Sequence, residues 1–152
     1  MKKILFVCLG NICRSPMAEF IFNFMVKERG QEKDFCAFSK ATSYEEEGHG
    51  PYRKALLKLA EKGIPTYGHK SSRIEESDYG CYDFIVGMED YNVKNILRIV
   101  KNDSQKKVYK LLDFCGGGDI ADPWYTDDFE RAFCDIKRGC QAFIDFLQGS
   151  LL

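Results

Sequence analysis

Ile4, Leu5, Phe6 and Val7 are four consecutive apolar residues with no polar alternation. The chain then leaves them through Cys8-Leu9-Gly10-Asn11-Ile12-Cys13-Arg14 into Ser15-Pro16. A strand with one wet face alternates, whereas an unbroken apolar run is what a strand buried on both faces requires. Such a strand sits inside a parallel sheet with helices on either side, so this opening restricts the chain to the α/β class.

The rest of the sequence repeats that grammar. Ser15-Pro16 reads as a hydroxyl cap and a first-turn proline, and Ala18, Ile21, Phe22 and Met25 follow at helical spacing to about Gly30. Residues 35–39 read as a second strand. Pro51 reads as the opening of a helix carrying Ala55, Leu56, Leu59 and Ala60, closed by Gly63 and Pro65. Residues 82–86 form a third strand, and Val93, Ile96, Leu97 and Val100 the helix after it. Residues 108–112 form a fourth strand, followed by Gly116-Gly117-Gly118. The last helix carries Phe129, Ala132, Phe133, Ile136, Cys140, Phe143, Ile144 and Leu147 on one stripe. Four strands alternating with helices predict a three-layer sandwich, a four-stranded parallel sheet flanked by helices on both faces. Residues 1–152 read as one domain. In such sheets ligands sit beyond the carboxyl ends of the strands, which directs attention to residues 8–14 and 116–125.

Composition narrows the partners. Lys and Arg number 22 against 23 Asp and Glu, a net charge of −1, so the basic surplus needed for nucleic acid is missing. No stretch approaches the roughly 18 apolar residues of a membrane span. The start imitates a secretory leader, but its apolar run is short, and Asn11 and Arg14 follow where small residues precede cleavage. Seven cysteines, an odd number without a repeated frame, point to reduced thiols and a cytoplasmic location. No metal is expected, because Cys8 and Cys13 lack zinc spacing and His49 and His69 share no motif. No cofactor is expected either, and the Walker phosphate loop is missing.

An anion must then be held by local geometry. A short loop ending at a helix N-terminus converges its backbone N–H groups on one point, so Leu9, Gly10, Asn11, Ile12, Cys13, Arg14 and Ser15 are the expected phosphate cradle. Gly10 supplies backbone freedom there, and Asn11 tolerates the left-handed region. Arg14 adds a planar fork matching two oxygens of a tetrahedral anion. The same positive groups favour the thiolate of Cys8, and the Ser15 hydroxyl is placed to donate to that sulfur. For Cys13, a packing role competes with a chemical one.

A thiolate beneath a phosphate is a phosphoryl acceptor, and the departing alkoxide or phenoxide needs a proton. Asp122, held by Pro123 on the loop after the fourth strand, is the expected acid, later the base that activates water. Asp-Pro is also a common turn dipeptide. Trp124 and Tyr125 read either as walls of a slot for a flat ring or as the end of the last helix's core.

CLGNICRSPMAE after a buried strand, with a late Asp-Pro-Trp-Tyr, resembles the low-molecular-weight protein tyrosine phosphatases. The similarity runs through Ser39-Lys40-Ala41-Thr42, Gly63-Ile64-Pro65, Tyr82-Asp83-Phe84-Ile85 with Met88, and Asp122-Pro123. It implies Cys8 as nucleophile, Arg14 as clamp, Asp122 as proton donor, and Ser15 as the thiolate's partner. It also implies Asn11 paired with Ser39, with His69 supporting the loop, and Leu9, Tyr44, Trp124 and Tyr125 near the pocket wall. Cys13 matches the family's second loop cysteine, which traps an oxidised nucleophile as a reversible disulfide. The partners implied are a phosphotyrosine protein or small aryl phosphate, with phosphate or sulfate as ligands, and a monomer or weak dimer. Four departures stand out. They are Lys40, Glu89 in place of aspartate, a shortened segment before Tyr44, and His69 one residue late.

Two other activities share such a loop. Arsenate reduction needs two further neighbouring cysteines, and Cys81 stands alone. Arginine dephosphorylation uses a small threonine where this chain has Ile12, whose apolar bulk suits a phenyl ring.

Overall fold

The computed structural model describes residues 1–149. Strand β1 (Lys2–Cys8) lies between β2 (Phe35–Ala41) and β3 (Phe84–Gly87), and β4 (Val108–Lys110) completes a parallel sheet of order β2-β1-β3-β4. Ile4 to Val7 are fully buried because the strand sends side chains into two separate cores. Ile4, Phe6 and Cys8 face the larger core, and Leu5 and Val7 the smaller. The three-layer sandwich expected from four strands alternating with helices is the fold observed.

The larger core is covered by α1 (Arg14–Glu28), α2 (Arg53–Glu61) and α5 (Phe129–Gly149). Phe143 of α5 anchors it, edge-on to Phe6 at 6.3 Å and to Phe84 at 5.5 Å, and stacked on Phe114 at 4.6 Å. The buried stripe of α5 is the one its periodicity predicts, with Gly139 added. A Cβ at Gly139 would lie 2.6 Å from Leu111 Cγ, so only glycine lets α5 settle on that side chain. The smaller core is covered by α3 (Asp90–Val100) through Ile96 and Val100, with Ile74 beside them. A four-residue helix, α4 (Pro123–Thr126), precedes α5 in the chain.

Element ends depart from the sequence reading for local reasons. Helix α1 starts at Arg14 with Cys13 as its cap residue, so Ser15 is not the cap and its hydroxyl is free for other work. Helix α2 starts at Arg53 with Tyr52 at the cap, leaving Pro51 outside. Strand β2 runs on to Ala41, and β3 begins only at Phe84. The fourth strand stops at Lys110, and Leu111–Cys115 coil into a 3-10 turn that drops Leu111 and Leu112 into the core. Continuous burial there came from a turn rather than from a strand.

Strand order is what positions chemistry. From β1 the chain crosses to β2 on one side, and β3 and β4 lie on the other. The carboxyl end of β1 is therefore the switch point where crossovers diverge and a crevice opens. Cys8 is the last residue of that strand.

Candidate active site

The carbonyls of the loop after β1 are turned outward. Cys8 O accepts from Thr42 N–H at 2.9 Å, and Leu9 O accepts from Ser43 N–H at 3.2 Å and the Ser43 hydroxyl at 3.1 Å. Gly10 O accepts from the Ser71 hydroxyl at 2.8 Å, and Ile12 O from Tyr52 N–H at 2.8 Å. A trans peptide carries its N–H opposite its C=O, so the N–H groups of Leu9, Gly10, Asn11 and Cys13 are directed into the loop. An anion nest follows, with the N-terminus of α1 behind it. The torsion that closes the curl belongs to Asn11, at φ 58°, and not to Gly10, which has no positive φ. Space does not demand glycine at position 10 either, since a Cβ there would meet Glu46 Cγ at 3.4 Å, an ordinary van der Waals contact.

Two donors meet at the Cys8 sulfur, which is 3% exposed. The Asn11 N–H reaches it at 3.2 Å, and the Ser15 oxygen lies 3.0 Å away. Asn11 Nδ2 donates to that Ser15 oxygen at 2.8 Å, which leaves the hydroxyl proton of Ser15 to point at sulfur. Asn11 Oδ1 must then accept from His69 Nε2, 3.0 Å away, so His69 carries its proton on Nε2. Burial holds the His69 pKa below its usual value, outweighing the attraction of Glu19.

Glu19, on α1, is the hub behind this chain. Only 4% exposed, it accepts the Ser39 hydroxyl at 2.7 Å and the Tyr67 hydroxyl at 2.6 Å, and lies 3.7 Å from His69 Nδ1. Burial and this bond to Glu19 push the Tyr67 hydroxyl well up. The expected pairing of Asn11 with Ser39 is thus replaced: His69 takes Asn11, and Ser39 bonds Glu19. The physical cause is an acceptor count, because a buried carboxylate needs several donors and claims the nearest hydroxyl.

Arg14 is 2% exposed and held at both ends of its fork. Nη1 donates to Glu89 Oε2 at 2.7 Å and to Ile120 O at 2.9 Å, and Nη2 to Asp122 Oδ2 at 3.3 Å. Burial opposes its charge, but Cys8, Asp122 and Glu89 outweigh it and hold its pKa above the usual value. Glu89 also caps α3 in a reciprocal box with Asn92, which fixes its carboxylate. The extra methylene relative to aspartate still reaches Arg14. Asp122 caps α4, its Oδ1 accepting from Trp124 N–H at 3.0 Å. Burial, then the charges of Cys8 and Asp122, push the Cys13 thiol up to about 12 against the pull of Arg14.

The cavity above the loop is lined by residues 8–14 with Glu45, Glu46, Asp122, Trp124 and Tyr125. Tyr44, expected on the wall, is not there. It is 61% exposed, with the Arg73 guanidinium 4.8 Å over its ring. The next two residues, Glu45 and Glu46, line the cavity instead. Glu19, Ser43, Ser71, Tyr52, Glu45 and Glu46 were not foreseen. Only Glu19 had a signal in the sequence, a carboxylate within the otherwise apolar run from Pro16 to Phe22.

The family model described as low molecular weight phosphotyrosine protein phosphatase matches residues 3–150. Low molecular weight protein-tyrosine-phosphatase PtpA of Staphylococcus epidermidis is 38% identical over 149 residues, covering 97% of this chain and 94% of its own. The crystal structure of YfkJ from Bacillus subtilis superposes with a TM-score of 0.94 at 32% identity, covering 99% and 96% of the two chains. That of a Drosophila arginine phosphatase gives 0.87 at 27% identity, covering 97% and 98%. A match along nearly the whole length, on the same fold, leaves one assignment: the chain belongs to the low-molecular-weight protein tyrosine phosphatases and is a phosphatase that works through a cysteine.

Proposed function

We propose that Cys8, Arg14 and Asp122 carry out hydrolysis of phosphotyrosine in a protein or of a small aryl phosphate. The Cys8 sulfur attacks phosphorus while the bond to the phenolic oxygen breaks and Asp122 gives that oxygen its proton. The inward N–H groups and the Arg14 fork hold the non-bridging oxygens, whose charge grows in the transition state. Water then attacks the phosphocysteine, Asp122 takes its proton, and Cys8 leaves as thiolate, received by the Ser15 hydroxyl and the Asn11 N–H. Inorganic phosphate is released.

The observation that carries this reading is the convergence of Ser15 and Asn11 on one buried sulfur, inside a loop where the carbonyls of Cys8, Leu9, Gly10 and Ile12 turn away. A purely structural cysteine has no use for two donors. The apolar side chain of Ile12 and the rings of Trp124 and Tyr125 at the same cavity favour an aryl substrate over a guanidinium. Cys81, exposed and bonded to Ser77 O, gives no support to arsenate reduction. Seven free thiols favour a reducing compartment, the cytoplasm, and the protein acts as a monomer or weak dimer. Among the described residues no helix is long and apolar enough to cross a membrane.

Cys8→Ser tests the proposal. The variant loses turnover and still binds inorganic phosphate or sulfate; retention of near-wild-type activity overturns the mechanism. A panel of phosphotyrosine, phosphoarginine and phosphoserine peptides with arsenate tests the substrate class, and preference for phosphoarginine replaces the aryl reading.

A further inference from the structure

Trp124 lines the cavity from a helix of only four residues, and it is half exposed. One turn of helix cannot fix a large side chain by its own hydrogen bonds. The support comes from another element. The Tyr52 and Trp124 rings meet edge to face with centroids 4.9 Å apart and planes at 64°, and Tyr52 stacks on Phe129 at 6.0 Å and 26°. Phe129 is buried at the start of α5, so Tyr52 stands as a wedge between the core and the cavity wall.

The main chain of Tyr52 is fixed as firmly as its ring. Its N–H donates to Ile12 O in the phosphate loop at 2.8 Å, and its carbonyl accepts from Ala55 N–H at 3.0 Å. Two residues on, Lys54 Nζ reaches Asp127 Oδ1 at 2.7 Å, and Asp127 is the left-handed residue that ends α4. The first turn of α2 thus grips α4 at both ends, while the Trp124 N–H holds Asp122. The Tyr52 main chain thus holds the phosphate loop, its ring holds Trp124, and the Trp124 N–H in turn holds the acid.

We infer that Tyr52 is the positioning residue of the aromatic wall, setting how much more tightly an aryl phosphate is held than bare phosphate. This rests on the reading of the cavity as an aryl-phosphate site. The physical basis is that an aromatic wall binds a ring well only when its orientation is fixed beforehand. Bare phosphate sits in the loop and does not need the wall.

Trp124 is the single tryptophan of the chain, so its fluorescence reports the wall directly. Tyr52→Ala, Tyr52→Leu and Tyr52→Phe are compared with wild type for Trp124 emission and anisotropy. Binding of inorganic phosphate and of phenylphosphonate is measured by calorimetry on the same proteins. In the alanine and leucine variants, Trp124 emission shifts red and its anisotropy falls. Phenylphosphonate weakens about three- to tenfold, while phosphate stays within about twofold. Tyr52→Phe keeps the ring and restores the wild-type ratio of the two affinities. The leucine variant fills the space without a ring, so it decides the matter even if alanine prevents folding. Equal losses for both ligands, no loss for either, or unchanged Trp124 anisotropy overturns the inference. Wild-type protein that binds phenylphosphonate no better than phosphate and hydrolyses no aryl phosphate overturns the aryl reading first, and this inference with it.

Discussion

Arg14 and Asp122, 108 positions apart in the sequence, grip each other through Nη2 and Oδ2 at 3.3 Å. The same guanidinium binds Ile120 O, two residues before the acid. The proposed phosphate clamp thus also sets where the proposed proton donor stands, and Glu89 fixes the other arm of the fork. Acid and clamp are one mechanical unit built from the ends of β1, β3 and the segment after β4.

Asp122→Asn separates the two chemical steps. With phosphotyrosine, the first step slows by about 10²- to 10⁴-fold, the usual worth of general acid catalysis. An activated phenol leaves without a proton, so the variant gives a stoichiometric burst of that phenol and then stalls at the phosphocysteine. Rapid-quench kinetics reads both. Equal slowing of the first step with both substrates removes Asp122 from the acid role.

Glu45 and Glu46 put carboxylates beside an anion site. Glu46 bonds the exposed His49 at 2.6 Å, and Glu45 has no side-chain partner among the described residues. Two such charges repel a phosphate by several tenths of a kcal/mol each across a wet cavity mouth. Glu45→Gln with Glu46→Gln therefore tightens inorganic phosphate about two- to tenfold, most at low ionic strength. A salt series of phosphate inhibition constants checks this, and weaker binding in the double variant contradicts it.

Peroxide is expected to inactivate the enzyme reversibly. The Cys8 sulfur, facing two donors, takes one oxygen to become sulfenic acid, with water or hydroxide released. The Cys13 sulfur then attacks the sulfenic sulfur, and its proton leaves with the sulfenic hydroxyl as a second water as the S–S bond forms. Cys13→Ser keeps much of its activity but loses recovery on adding a dithiol. Peptide mapping after mild peroxide shows a Cys8–Cys13 linked fragment; Cys8 joined elsewhere, or over-oxidised in wild type, defeats the proposal.

His69 ties stability to pH. Its pKa in the folded protein lies below the usual 6.5, because burial outweighs Glu19, so the unfolded chain binds the proton more readily. Stability therefore rises with pH through this window and is lost as pH falls below about 6.5 toward the folded value. Denaturant midpoints measured from pH 7.5 to 5 show that decline, and His69→Gln flattens it. An unchanged slope in the variant shows that His69 is not the group responsible.

The sequence by itself determined the class of fold and the chemistry at its centre. Ile4 to Val7 can be buried on both faces only within a covered parallel sheet, and the α5 stripe can face only one core. Cysteine, left-handed asparagine, arginine and serine lie within eight residues, so their geometry is governed by local torsions and one helix start. The surroundings of that loop were decided by tertiary structure. Its carbonyls are satisfied by Thr42, Ser43, Tyr52 and Ser71, none of them near it in sequence. The same holds for Glu19 drawing Ser39 away from Asn11, for Glu45 and Glu46 standing where Tyr44 was expected, and for Tyr52 behind Trp124. Local spacing carries information over about one helical turn, whereas each of these contacts depends on how crossovers of 20 or more residues return to the sheet edge. That return path is set by the packing of whole elements, and no short stretch of residues encodes it.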